Sequence, residues 1–315
     1  MAPHMGGGHD LRGFVAVTDN RWFSFLRDLA PDEVNFWTPS AGAPFRALLR
    51  GEPMLFKLHK PYDAIVGGGF FAKYSVLPLS LAWLAFEEKN GAKTDSECRA
   101  RIQHYRRGEV AVDPEIGCII LERPFFFGDE DWIPAPADWS PNIVRGKSYD
   151  LSQGEGRALW EQVEQRLSAM PVPTSAGTNA AQGSLGYWGM GFRRIGQGAF
   201  RVAVTDAYGR QCAVTQEHTL PVLEAAHIQP FASGGPHEVA NGLLLRADLH
   251  ILFDRGYVAV DDDYRFMVSP RLREDYHNGR DYYARNGQKI LLPTEASEQP
   301  SREYLAWHRS YLYIA

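Results

Sequence analysis

The sequence predicts an α+β protein of two domains. Its 315 residues exceed the length of one typical domain, and 44% of them are hydrophobic, which is ordinary for a globular chain. Segments with strand patterns and segments with helix patterns both occur. Residues 171–186 (PVPTSAGTNAAQGSLG) lack apolar periodicity and are rich in Pro, Gly, Ser and Thr, which is typical of a linker. We therefore divide the chain into residues 1–170, a linker at 171–186, and residues 187–315.

The N-terminal domain is predicted to mix strands and helices. Short β-branched or aromatic runs predict strands at 14–18, 54–59, 64–72 and 116–121. Helical spacing predicts helices at 21–29, 79–89 and 156–170. The Thr94-Asp95-Ser96-Glu97 sequence is a capping box, which predicts a further helix that runs toward Arg107.

The C-terminal domain is predicted to begin with strands and to end with a helix. Residues 201–205 and 212–214 flank the turn-like Ala207-Tyr208-Gly209-Arg210 sequence, which predicts a hairpin. A strand at 224–227, a Gly/Pro loop and a helix that ends at Asp254 are expected next. The last predicted helix covers 301–313.

Composition excludes several classes of protein. No run approaches the roughly 20 apolar residues of a membrane helix, so we expect no membrane span. Residues 1–9 lack the charged and apolar regions of a signal peptide. The three cysteines form no CxxC pair, which disfavours a disulfide framework. We therefore predict a cytoplasmic protein, and its net charge of −5 leaves any nucleic-acid contact to a local basic face.

The most informative segment combines histidine, asparagine and aspartate. His227 ends the predicted strand, Asn241 follows the Gly/Pro loop, and His250 and Asp254 lie four residues apart. That spacing puts His250 and Asp254 on one helical face, where both side chains are competent to bind a metal ion. Asn241 is placed to brace the His227 strand through its side-chain amide.

The segment from Ala225 to Gly256 closely resembles the His-Asn-His (HNH) nucleases, and the resemblance extends over residues 193–264. That family builds a ββα-metal site from two strands and a helix. The resemblance implies that His227 is the general base that activates the attacking water and that Asn241 orients it. Imidazole suits this role because it supplies a base near neutral pH.

The same resemblance implies a divalent metal ion, Mg²⁺, Mn²⁺ or Ni²⁺, which offsets charge on the scissile phosphate. His250 matches the metal-binding His of the family, and Asp254 lies where a further ligand is often found. Asp254 could instead form a helix-end ion pair with Arg255. Many family members carry Asp or His before the first His, whereas this chain has Ala226. Either phosphate oxygens and water complete the metal shell, or another carboxylate such as Glu224 contributes.

Several arginines precede the predicted site. Arg193, Arg194 and Arg201 are expected to clamp phosphates that flank the cut, the alternative being an ordinary solvated face. His218 and His237 fall outside the family pattern and are predicted to be surface residues.

The N-terminal domain carries a second, looser resemblance. An aromatic segment, Asn35 to Ser40, is followed by a short helix pattern, a Gly51-Glu52-Pro53 turn and two strands. This order is similar to the PUA superfamily, especially its EVE-like members, which are small β-barrels that hold a modified or flipped base. An extruded base is held by aromatic stacking and by hydrogen bonds to its edge. The candidate pocket residues are Asn35, Phe36, Trp37, Ser40 and His59, unless the aromatic side chains fill a core instead.

Together the two resemblances imply a metal-dependent endonuclease that acts on double-stranded DNA, as a restriction enzyme directed to modified cytosine. Two alternatives stay open. The N-terminal domain could sense something other than a base, or the chain could be a DNA-binding module that has lost catalysis, as Ala226 suggests. A homodimer is compatible with the resemblance, because HNH nucleases often need two sites to break both strands.

Overall fold

A computed structural model of the chain describes residues 11–106, 111–170 and 196–315. The chain divides into two compact units, Met1–Phe192 and Arg193–Ala315. The linker predicted at 171–186 lies outside the described residues. Within them, no helix combines the length and the apolar character needed to cross a membrane.

The N-terminal unit is built on one mixed sheet. Its strands are β1 (Arg12–Thr18), β2 (Glu33–Thr38), β3 (Pro53–Leu58), β4 (Ala64–Pro78), β5 (Glu115–Phe126), β6 (Ile133–Pro134) and β7 (Gly146–Asp150). They are ordered β2-β5-β4-β3-β1-β7, and β6 pairs with β4. β1 and β3 run parallel, whereas the other pairs are antiparallel.

The sheet stays open, because no pairing of the edge strands β2 and β7 closes it among the described residues. The prediction of an α+β fold is confirmed, but that of a closed β-barrel is wrong. The structure shows what covers β2 instead. The helical turn Glu87–Asn90 packs on this strand, and the carbonyl of Asn90 accepts a 2.9 Å hydrogen bond from the Trp37 indole.

Four helices of the N-terminal unit are described, and each matches a predicted one in place. They are α1 (Asn20–Leu29), α2 (Leu79–Phe86), α3 (Asp95–Tyr105) and α4 (Gly154–Ala169). The first of the two hydrogen bonds of the predicted capping box is confirmed, because the Thr94 hydroxyl accepts a 3.2 Å hydrogen bond from the backbone amide of Glu97. The Glu97 carboxylate, in return, reaches the amide of Lys93 at 3.0 Å. Buried aromatic and aliphatic side chains form two core clusters in this unit.

The C-terminal unit packs a short hairpin between helices. Its described elements are α5 (Gln197–Ala207), β8 (Leu223–His227), β9 (Gly242–Arg246), α6 (Ala247–Asp254), β10 (Val258–Val260), β11 (Phe266–Val268), α7 (Arg271–Tyr276), α8 (Arg280–Tyr283) and α9 (Arg302–Tyr311). β8 pairs antiparallel with β9, and α6 starts directly after β9. This unit therefore contains two strands followed by a helix.

The hairpin predicted at residues 201–214 is wrong. Its first half belongs to α5, whose buried residues include Phe200 and Val204, four positions apart. Both pack into the core of the C-terminal unit. The segment is helical because its apolar residues recur at helical spacing and bury one face, which outweighs the strand preference of valine and threonine.

Candidate active site

The hairpin and the helix after it bring three of the four predicted catalytic and metal-binding residues, all except Asn241, to one cleft. His227 is the last residue of β8 and lies opposite Gly242 in the first position of β9. His250 and Asp254 lie one turn apart on α6. A cleft of about 400 Å³ is lined by His227, His250 and Asp254, together with Glu224 and Arg201.

His250 lies between two carboxylates. Its Nδ1 is 2.6 Å from Oε2 of Glu224 on β8, and its Nε2 is 3.3 Å from Oδ2 of Asp254 on α6. Partial burial raises the pKa of Asp254, a shift that the charge of His250 opposes and that of Glu224 reinforces. Each nitrogen of the His250 ring therefore contacts a carboxylate, one from β8 and one from α6.

His227 is half-buried and held by aromatic neighbours. Its ring stacks on Phe200, with centroids 3.9 Å apart and an interplanar angle of 12°. Burial lowers its pKa to about 4, and the nearby imidazoles of His237 and His250 add to the shift. Since a general base must be uncharged, this environment keeps His227 in the basic form at neutral pH.

His237 was predicted to be a surface residue, and this prediction is wrong. The ring is half-buried, and its Nδ1 lies 2.9 Å from Nε2 of His227. It also stacks on Phe231, with centroids 4.7 Å apart. Sequence reasoning missed the contact because no periodicity in a Gly/Pro loop tells where a side chain points. The only signal was a third histidine within the motif.

Asn241 is fully buried and ties the hairpin to its loop. Its Oδ1 accepts a 2.9 Å hydrogen bond from the amide of Gln229. Its Nδ2 donates to the carbonyls of Gln229 and Pro236, both at 2.9 Å. The side-chain amide thus contacts the chain just beyond His227, as the bracing interpretation requires, without touching the His227 ring.

The position of the missing family ligand is buried. Ala226 has no exposed surface and belongs to the core, whereas Glu224 lines the cleft. Among the described residues, no group of three or more His, Cys, Asp or Glu side chains stands ready to hold a metal ion. The carboxylates of Glu224 and Asp254 contact the ring nitrogens of His250 instead.

Of the three predicted phosphate-binding arginines, Arg201 lines the cleft. Burial lowers the pKa of its guanidinium, and the charge of Glu224 opposes this shift. Arg201 keeps its positive charge, because a guanidinium does not lose its proton in proteins. Arg193 and Arg194 lie outside the described residues.

The five candidate pocket residues of the N-terminal unit do not meet at one cavity in the described structure. Asn35 is fully buried, and its amide donates to Asn90 at 2.9 Å. Phe36 packs on the core with Trp22. Asn35 therefore lies in the interior, and the half-buried Phe36 packs against the core.

The remaining three candidates lie nearer the surface. Trp37 is half-buried and bonded to Asn90, and His59 is exposed at the end of β3. Ser40 lines a separate surface cavity of about 530 Å³, together with Arg106 and Asp113.

Comparison with known proteins identifies the C-terminal site. Residues 212–261 match a family model described as HNH endonuclease. This range contains the hairpin, the loop and α6. No curated protein matches the chain.

The solved structures that the chain matches include an ASCH protein from Zymomonas mobilis and a modification-dependent restriction endonuclease, TagI. The ASCH structure is 10% identical, with a TM-score of 0.32, and the match covers 47% of this chain and 94% of that one. The TagI structure is 13% identical, with a TM-score of 0.26, and the match covers 89% of this chain and 75% of that one.

Proposed function

We propose that this chain, a nuclease whose residues 212–261 form an HNH endonuclease domain, is a metal-dependent restriction enzyme for double-stranded DNA with modified cytosine. The observation that carries the proposal is the cleft shared by His227, His250, Glu224 and Asp254. In this cleft the neutral imidazole of His227 lies near the imidazole of His250 and the carboxylates of Glu224 and Asp254. The last three are side chains that suit a divalent cation.

His227 takes the proton of the water molecule that attacks the scissile phosphorus. Burial lowers its pKa to about 4, which leaves the ring uncharged and able to accept a proton before each turnover but makes it a weaker base than an exposed imidazole. Asn241 holds the chain that follows His227 through two hydrogen bonds to Gln229. Arg201 contacts a phosphate next to the cut, which a half-buried guanidinium that lines the cleft is suited to do.

The residues that would hold the metal ion are His250, Asp254 and Glu224. The donor types fit a divalent cation, because carboxylate oxygens suit Mg²⁺ and Mn²⁺ and a neutral imidazole suits Ni²⁺. In this structure the two carboxylates contact opposite nitrogens of the His250 ring, Glu224 at Nδ1 (2.6 Å) and Asp254 at Nε2 (3.3 Å), so a cation held by all three side chains would require one carboxylate to turn toward it. When bound, the ion would offset the charge that develops on the phosphate and the leaving oxygen. With Ala226 buried in the core, Glu224 and Asp254 are the acidic residues that line this cleft.

The N-terminal unit is proposed to read the modified base and to deliver the nuclease to it. The support is its aromatic-rich sequence, the half-buried Trp37 and a surface cavity of about 530 Å³ that Ser40 lines. A nuclease that hydrolyses any phosphodiester bond gains selectivity for a modified base from such a reader. The reader can recognise an extruded base by its stacking surface and its polar edge.

A substrate panel tests both halves of the proposal. The full chain is incubated with unmodified, 5-methylcytosine and 5-hydroxymethylcytosine duplexes, with Mg²⁺, Mn²⁺ or Ni²⁺. We expect metal-dependent cutting of a modified duplex that disappears in His227→Ala. The matched control is His218→Ala, because His218 is exposed and is not among the residues that line the cleft.

Each outcome separates the alternatives. Equal cutting of all three duplexes would contradict the reader while leaving the nuclease in place. Binding without cutting under every metal would favour an inactive DNA-binding module.

A further inference from the structure

The loop between β8 and β9 carries a second imidazole to the proposed general base. We propose that His237 is a positioning residue that fixes the tautomer of His227, so that the Nδ1 of His227 is ready to accept a proton from water. The motivating contact is the 2.9 Å separation between His227 Nε2 and His237 Nδ1. This inference rests on the proposed function and names a residue that serves it.

The chemistry of a neutral imidazole makes the contact decisive. Such a ring carries one N–H donor and one lone pair, so a hydrogen bond between two rings needs a proton on one side only. If His227 donates from Nε2, its Nδ1 holds a lone pair and can act as the base. If His237 donates from Nδ1, the neutral His227 carries its proton on Nδ1 and has no lone pair left for water.

The surroundings of His227 favour the first arrangement. None of the described residues forms a hydrogen bond with its Nδ1, and the ring lines the cleft in which the phosphate would bind. A lone pair there is solvated by the attacking water. An N–H at Nδ1 would instead meet that water as a donor, which opposes deprotonation of the water.

Aromatic stacking fixes the orientation of the His227 and His237 rings. His227 packs on Phe200 at 3.9 Å and 12°, and His237 packs on Phe231 at 4.7 Å and 20°. The hydrogen-bonded pair is therefore enclosed between two phenyl rings. Because both rings are packed, rotation about their side-chain bonds is restricted, and the nitrogens that face each other stay the same.

The backbone before His237 is fixed as well. Asn241 donates to the carbonyl of Pro236 at 2.9 Å, and the amide of Gly235 donates to the carbonyl of Pro230 at 3.1 Å. A Cβ on Gly235 would lie 2.0 Å from the carbonyl oxygen of Gln229, so only glycine permits this approach. The buried Asn241 thus holds the peptide group that precedes His237 and acts on the base through this loop.

A spectroscopic experiment tests the tautomer without any cleavage assay. The full chain is labelled with ¹⁵N-histidine, and long-range proton–nitrogen correlations are recorded at about pH 8, above the ordinary imidazole pKa. We expect the proton of His227 on Nε2 in the parent and a loss of this preference in His237→Leu. A proton on Nδ1 of His227 in the parent would overturn the proposal, whether or not the chain cuts DNA.

Kinetics provide the second arm. His237→Asn keeps an acceptor near the position of Nδ1, whereas His237→Leu removes it. We expect the Leu variant to lower kcat roughly 10- to 100-fold at an unchanged KM for DNA, and the Asn variant to recover most of the activity. His218→Leu serves as the control. A parental kcat in the Leu variant, or an effect on KM alone as a phosphate contact would give, overturns the inference.

Discussion

Glu224 on β8 and His250 on α6 are joined by a contact of 2.6 Å between carboxylate and imidazole. The two residues lie 26 positions apart in the chain, and the antiparallel hairpin with its following helix brings them together. Glu224 is thereby placed next to the proposed metal-binding histidine, while Ala226, two residues further along β8, is buried in the core.

The first prediction concerns this carboxylate. Glu224→Gln keeps the size of the side chain but removes the negative charge that a divalent cation requires. We expect cleavage at a fixed metal concentration to fall roughly 10- to 100-fold and to recover in part when the metal concentration is raised. The measurement is a metal titration of the initial cleavage rate on the same duplex.

The matched control for Glu224→Gln is Glu295→Gln. Glu295 is exposed and is not among the residues that line the cleft. Its variant should keep the parental metal dependence. An identical titration curve for both variants would show that Glu224 takes no part in holding the metal.

The site shows which contacts a sequence can predict. His250 and Asp254 could be paired in advance because helical spacing is local, and the structure gives them a 3.3 Å contact. The contact of His237 with His227 could not, since it depends on the path of an irregular loop. The same limit applies to Glu224, whose distance from His250 is set by the packing of a strand against a helix.

The N-terminal unit shows the complementary limit. The strands β1, β3, β4 and β5 and the four helices were predictable, since β-branched runs and helical spacing act over a few residues, whereas β2, β6 and β7 were not predicted. Whether the sheet closes was not, because closure depends on what covers the edge strand β2. The bond from Trp37 to the carbonyl of Asn90 belongs to that covering contact. Asn35 and Phe36 likewise appeared equally fit for a pocket or a core until tertiary packing decided.

The second prediction concerns Asn241, which makes three hydrogen bonds with the backbone from a fully buried position. Asn241→Ala leaves these buried groups without partners, so we expect the free energy of unfolding to fall by about 2–3 kcal/mol. Cleavage should fall as well, because the loop that carries His237 loses its anchor. Chemical denaturation and a cleavage assay on folded protein measure the two effects.

A surface asparagine calibrates that experiment. Asn278 is exposed, and Asn278→Ala should leave both stability and cleavage near the parental values. Parental stability in Asn241→Ala would contradict the bracing role of the amide.

The third prediction compares two glycines that share a left-handed backbone. Gly256 has φ +75°, and a Cβ there would lie 1.9 Å from the carbonyl oxygen of Leu312. Gly234 has φ +85°, and a Cβ there would meet nothing within 4 Å. Alanine strains the backbone at both positions, but only Gly256→Ala must push the C-terminal segment away from the end of α6.

We therefore expect Gly256→Ala to lower the free energy of unfolding by about 1–3 kcal/mol more than Gly234→Ala does. The site should suffer too, because Leu312 lines the cleft. Denaturant midpoints of the two variants provide the measurement, and equal midpoints would show that the approach of the C-terminal segment adds nothing to stability.

The fourth prediction is that His308 lowers the stability of the folded protein as the pH falls below neutral. This buried ring on α9 donates from Nε2 to the carbonyl of Phe253 at 3.0 Å, and its Nδ1 has no partner in the described structure. Burial lowers its pKa to about 4, with Arg309 adding to the shift and the bond to Phe253 opposing it.

The sign follows from proton linkage. The unfolded chain binds a proton at His308 below about pH 6.5, whereas the folded chain resists it until about pH 4, so stability falls as the pH drops through this window. The slope is about 1.4 kcal/mol per pH unit for each such histidine.

His308→Gln keeps an N–H donor for Phe253 and cannot titrate, so it should lose less stability between about pH 7 and about pH 5 than the parent. Comparing the pH dependence of the denaturant midpoint in the two proteins cancels the other titrating groups. His218→Gln, at an exposed site, should behave like the parent. Equal slopes in parent and His308→Gln would mean that the buried ring titrates alike in both states.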